Sequence, residues 1–182
     1  MDSSECKKVD IMGTGNRYLM KKVMKVPATV HKRKEMEKNK LGEEFFTVEA
    51  QVIMINELYN YNKEIDNYEL IKGQIQKKLQ GYKSQDVIKK LYNAEKFITY
   101  EGILKELYDS QMLCHYCKQP MFLLYELVRE QKQWTLDRID NYQGHNQDNV
   151  VVSCLECNLK RRRISKDAFT FTKQLHIVRE EL

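Results

Sequence analysis

Two Cys-x-x-Cys pairs, Cys114-His115-Tyr116-Cys117 and Cys154-Leu155-Glu156-Cys157, constrain this chain more than any other feature. Each tight turn holds two thiolates, and two such turns supply the four soft ligands of a closed, tetrahedral structural Zn²⁺ site. The interval between the pairs is longer than a simple zinc ribbon requires, and its pattern is ordered. Gln133 to Arg138 and the β-branched run Asn149 to Ser153 are strand-prone, with a polar connection from Asn141 to Asp148. Leu155 to Arg163 favours helix, which gives a strand, loop, strand, helix unit inside and after the cysteine frame. Ser165 is placed to cap a final helix carrying Phe169, Leu175, Ile177 and Val178, with His176 as a structural or surface residue.

Between Met112 and Lys166 these residues resemble the HNH endonucleases of the ββα-metal superfamily, in the treble-clef-like variety whose nuclease hairpin is stapled by zinc. The resemblance rests on Cys114/Cys117, Asp137 closing the first strand, Gly144, Asn149-Val150 opening the second, and Cys154/Cys157 followed by Asn158 and Lys160-Arg161. It implies hydrolysis of DNA phosphodiester bonds with Mg²⁺ or Mn²⁺. It assigns Asp137 and Asn158 to the catalytic ion and a structural role to Asn149. One position departs: Arg138 in Asp137-Arg138-Ile139-Asp140 stands where the family has its general-base histidine.

Phosphodiester hydrolysis needs a cation on the scissile phosphate, an activated water and positive charge around the backbone. A hard ion such as Mg²⁺ takes only one or two protein oxygens and keeps its waters, a share that Asp137 and Asn158 satisfy. Arg161 and Arg162, three and four residues beyond Asn158, are expected beside it as phosphate forks, with Lys160 and Arg163 in the same run; the alternative is a solvated helix end. Arg138 cannot accept a proton near neutral pH, so it is read as a phosphate clamp. His145 on the connecting loop is a candidate base against an ordinary loop residue, and Asp140 is read as an ion-pairing or orienting group. His115 is expected in the knuckle turn rather than on the metal.

Charge is distributed unevenly along the 182 residues. Residues 1–40 carry 11 Lys and Arg against 5 Asp and Glu, residues 41–111 carry 9 against 12, and residues 112–182 carry 11 against 9, for a net +5 overall. The basic segment 1–40, with Lys32-Arg33-Lys34, reads as a flexible solvated tail or a phosphate-binding arm, counterion release rewarding each phosphate contact. His31 and Cys6 are read as passengers. Residues 41–111 read as helical. Val48, Val52, Ile55 and Tyr59 fall at helical spacing, as do Leu70, Ile71, Ile75 and Leu79. Ser84 is expected to cap a helix using Val87, Ile88, Leu91 and Tyr92, and Thr99 one using Ile103, Leu104 and Leu107. The expected class is α+β, mainly helical, with a zinc-stapled module at 112–182.

No apolar run approaches the roughly 18 residues of a membrane span, and the start lacks a secretory layout. A soluble protein of cytoplasm or nucleus follows, with reduced cysteines; the Lys-, Asn-, Ile- and Tyr-rich composition suits an AT-rich genome such as a virus's. DNA is the expected partner, branched or nicked forms and RNA staying open, as does a homodimer, since one such centre cuts one strand. Two rival functions stand beside the nuclease. One is a catalytically disabled zinc-stabilised nucleic-acid-binding protein, which Arg138 favours. The other is a zinc module for protein contacts, which leaves the basic clusters unexplained.

Overall fold

The structure is a computed structural model that describes residues 31–34 and 41–175. The chain divides into two units, Met1–His31 and Lys32–Leu182, and the second carries every element below. Cys6, most of the basic segment, and His176, Ile177 and Val178 lie outside the described residues.

A 3₁₀ turn at Glu43–Phe46 leads into α1, Val48–Tyr59, whose Thr47 cap accepts from the Ala50 N–H. Gln51, Met54, Ile55 and Leu58 are its buried side chains, so the inward face sits one position away from the Val48, Val52, Ile55, Tyr59 stripe. Helix α2, Tyr68–Ile88, is continuous. Ser84 therefore caps nothing: it lies mid-helix and its hydroxyl donates to the Gln80 carbonyl at 2.9 Å, a local bond that helices tolerate. Val87 and Ile88, expected as core, are 55% and 81% exposed. Helix α3, Tyr100–Asp109, begins at Thr99 as expected, its hydroxyl accepting from the Gly102 N–H at 3.0 Å. Ile103, Leu104 and Leu107 are buried from it.

The sheet is one antiparallel pair, β1 Trp134–Arg138 and β2 Val150–Cys154, in the register Trp134 to Cys154 and Arg138 to Val150. Helix α4, Leu155–Arg161, starts directly from β2, and α5, Lys166–Gln174, follows with Ser165 as cap. The class is thus α+β, with five α-helices among the described residues. Strand residues alternate their faces, yet four consecutive β1 residues are buried because both faces are covered. Trp134, Leu136, Val150 and Val152 enter a single core with Ile71, Ile75, Ile103 and Leu107. Thr135 and Asp137 turn the other way, to Asn158 and Arg161 of α4. No helix among the described residues is long and apolar enough to cross a membrane.

The basic segment is partly attached to this body. Lys32 makes a β-bridge with Leu127 and an exposed ion pair with Glu126 at 3.2 Å. Arg33 lies over the Tyr125 ring at 4.3 Å and donates to Gln74 at 2.6 Å. Arg33 is thereby held against α2 and Lys32 against the loop at Glu126 and Leu127, at positions the charge pattern reads as a flexible tail or phosphate-binding arm; Lys34 is exposed.

Candidate functional site

The four cysteines converge as their spacing requires. Their sulfurs lie within 4.8 Å of one another, none is in a disulfide, and Cys117 and Cys154 stand 3.9 Å apart. A tetrahedron of Zn–S bonds of about 2.3 Å has S···S edges of about 3.8 Å, so the cage fits Zn²⁺. The Cys154 N–H points at the Cys114 sulfur and the Cys157 N–H at the Cys154 sulfur, as in a metal knuckle. Protons crowd this cluster without a cation: Cys114 is lowered to about 4 by a hydrogen bond from Cys154. Cys157 is pushed up to about 12, first by burial and then by neighbouring thiolate charge. A divalent ion removes the conflict by letting all four ionise. His115 is half-buried, packed edge-on against Tyr116, and no part of the sulfur cage.

Beside the cage a cleft of about 710 Å³ opens between α2, the β1 end and α4. Asp137, Arg138, His145 and Asn158 all line it, together with Arg33, Lys77, Lys78, Lys89 and Arg162. A second hollow of about 600 Å³ shares Lys89, Arg138 and Arg162 and adds Arg163 and Tyr142, so cations continue from one concavity to the next.

Asp137 is not a free carboxylate. It is 5% exposed and accepts from the Tyr116 hydroxyl at 2.6 Å. Arg161 grips it with Nε on Oδ2 and Nη2 on Oδ1. Burial and this bond raise the Tyr116 hydroxyl far above its usual value, so it stays a donor. Arg161, expected at the phosphate, is instead 1% exposed, and its other bonds go to the carbonyls of Ile164 and Arg138 and to the Asn141 side-chain oxygen at 3.3 Å. The one-turn spacing from Asn158 gave the right face of α4, but Arg161, its last residue, meets the Asp137 carboxylate at the strand end. Lys160 is exposed and paired with Glu156. Arg162 and Arg163 remain exposed at the helix end, Arg162 in the left-handed region at φ 52°.

Oxygen donors for a hard ion are few here. Three donors fill three of the four acceptor sites of Asp137, leaving one on Oδ1. Asn158 donates its amide to Thr135 Oγ1 at 3.0 Å and to the Leu136 carbonyl at 3.2 Å, which leaves its own oxygen available. Two oxygens match the small protein share that Mg²⁺ or Mn²⁺ accepts. Because Arg161 pairs with the Asp137 carboxylate, these two oxygens would hold a hard ion only weakly, most of its shell being left to water.

The connecting loop is built by its own polar side chains. Asn149, 5% exposed, accepts from the Asp140 N–H and donates to the carbonyls of Asp140 and Gly144, the structural role expected of it. Asp140, read as an ion-pairing or orienting group, accepts from the Tyr142 N–H and the Gln143 amide. Those hydrogen bonds, the Tyr142 one first, hold its carboxyl below the usual range. Arg138 donates to the carbonyls of Asn141 and Gln143, which fixes its guanidinium at the cleft wall.

His145 is the departure with most chemical content. It is 4% exposed, its ring tilts against Tyr82 at 4.5 Å, and its Nδ1 meets Asp86 Oδ1 at 2.9 Å. Burial lowers its pKa, with Asp86 opposing, so the imidazole is neutral at pH 7. Asp86, Tyr82 and Lys78, one turn apart along α2, escaped the sequence reading because a polar stripe on a helix looks like a solvated face. Their regular spacing was the available signal. No family model, no curated protein and no solved structure matches this chain.

Proposed function

We propose that the chain is an endonuclease that hydrolyses DNA phosphodiester bonds with a divalent ion, working in the cleft between α2 and the zinc-stapled ββα unit. The observation that carries this reading is the meeting of three kinds of group in one concavity. These are two oxygen donors, Asp137 and Asn158; a neutral histidine, His145; and a set of cations including Lys77, Lys89, Arg138 and Arg162. A bound Mg²⁺ or Mn²⁺ would supply charge to the scissile phosphate and leaving oxygen. His145 accepts the proton of the attacking water, its lowered pKa keeping it unprotonated at neutral pH. Arg138, fixed by two loop carbonyls, holds a phosphate oxygen with its remaining donors. Zn²⁺ on Cys114, Cys117, Cys154 and Cys157 stays outside the chemistry and joins the start of α4 to the loop after α3.

One observation favours a second reading, a zinc-stabilised DNA-binding protein without catalysis: the Asp137–Arg161 pair already neutralises the carboxylate. Nicking of supercoiled plasmid by the purified chain with Mg²⁺, Mn²⁺ or EDTA separates the two. The nuclease reading expects metal-dependent nicking that Asn158→Ala and His145→Ala lower by about 10²-fold or more. Salt-sensitive binding with no nicking on plasmid, branched or single-stranded DNA would establish the binding protein instead.

A further inference from the structure

Asp86 lies outside the zinc-stapled module, near the C-terminal end of α2, and is fully buried. Its carboxylate makes two bonds to one residue: Oδ2 accepts the main-chain N–H of His145 at 2.6 Å, and Oδ1 meets Nδ1 of the same residue at 2.9 Å. The approach is close because residue 144 is glycine; a Cβ there would stand 2.6 Å from the Leu91 carbonyl oxygen and 2.8 Å from Asp86 Oδ2. The loop is pinned on its far side as well, with the Ile98 N–H donating to the His145 carbonyl and Gln147 to that of Lys96.

Anchoring the loop does not require a carboxylate. An amide at 86 would accept the main-chain N–H equally well, without the several kcal/mol of desolvation that a buried charge costs. What the carboxylate alone adds is a second acceptor toward Nδ1 and a negative charge facing the ring. A proton fixed on Nδ1 leaves Nε2 as the nitrogen able to take a proton, in a ring that lines the cleft. We propose that Asp86 is the positioning residue of the reaction: it holds His145 in the tautomer that accepts the water proton at Nε2, and stabilises the imidazolium that results. The proposal rests on the nuclease reading above and gives the helical half of the protein a part in the chemistry.

Asp86→Asn tests it in the full chain. The amide must turn its oxygen to the 2.6 Å main-chain N–H, which presents its NH₂ to Nδ1 and forces the proton to Nε2. Single-turnover nicking is expected to fall about 10²-fold or more, approaching but not exceeding the loss in His145→Ala, the direction seen when a triad aspartate is amidated. DNA affinity in EDTA and thermal stability should stay near wild type. The ¹⁵N shifts of the His145 ring should exchange the protonated nitrogen between wild type and variant, and adding His145→Ala to Asp86→Asn should slow nicking no further than His145→Ala alone. Nicking by Asp86→Asn within about threefold of wild type, while His145→Ala is inactive, would overturn the positioning role and leave the nuclease standing. So would an unchanged tautomer. If the wild-type chain nicks nothing, the nuclease reading and this role fall together.

Discussion

Asp137 and Arg161 form a buried pair that is stronger as a unit than either partner is alone. Removing one side leaves an unpaired charge in the interior, so Asp137→Ala should destabilise the chain by about 3–5 kcal/mol in urea denaturation. It should also release the Tyr116 hydroxyl that now donates to that carboxylate. Loss of nicking in that variant alone would therefore be ambiguous, and Asn158→Ala is the cleaner probe of the ion. Lys78 makes a second residue-scale prediction. Its ammonium donates to the Gln133 side chain and the Trp134 carbonyl and lies over the Trp134 ring at 4.6 Å. Burial first, and Arg33 second, lower its pKa to about 7. Between that value and the ordinary 10.5 the unfolded chain binds the extra proton, so stability rises with pH across this window and the penalty is fully present below it. Urea midpoints from pH 7 to 9 should climb in wild type and climb less in Lys78→Met. If the cleft takes DNA as proposed, an entering phosphate restores the proton, so binding near pH 8 should take up protons, read by calorimetry in two buffers of different ionisation enthalpy.

Helix α2 is the element on which the cleft depends. Its buried or half-buried positions Ile71, Ile75, Lys78, Tyr82 and Asp86 form one stripe that is apolar where it meets the core and polar where it meets the strand end. The Tyr82 hydroxyl accepts the Leu136 N–H at 2.9 Å, tying the helix to the middle of β1. Burial holds that hydroxyl protonated well above neutral pH. Two glycines weaken the helix without serving it sterically, since a Cβ at Gly73 or Gly81 would meet nothing within 4 Å. Gly73→Ala, away from the cleft, should stabilise the protein by about 0.5–1 kcal/mol in thermal melts and leave DNA affinity unchanged. Gly81 lines the cleft, so the same change there should add similar stability and weaken binding. The apolar periodicity of this element was legible in the chain, but its extent was not. Ser84 imitates a helix start, but the helix runs past it, with Tyr82 and Asp86 on either side bonded to the strand and the loop.

At the scale of the molecule, a four-sulfur cage and one shared core hold the helical half and the ββα unit together. Purified protein should contain about one Zn²⁺ per chain, and removing it with a strong chelator, or replacing Cys154 by Ser, should unfold residues around the cage. Circular dichroism should then lose the α4 and sheet signal at temperatures where the metal-loaded chain is intact. The cage and hairpin were legible from sequence because their signals are local: fixed Cys spacing, β-branched runs, and caps at Thr99 and Ser165 whose hydroxyls bond within three residues. Asn149 was legible too, since its bonds close a loop of nine residues. What the tertiary structure alone decided is the electrostatic partnership of distant residues. Arg161 turned from solvent to Asp137 across 24 positions, and His145 was given to Asp86 across 59. A buried charge takes whichever partner the packing brings within about 3 Å, and sequence spacing carries no information about that distance once the chain has crossed from one element to another.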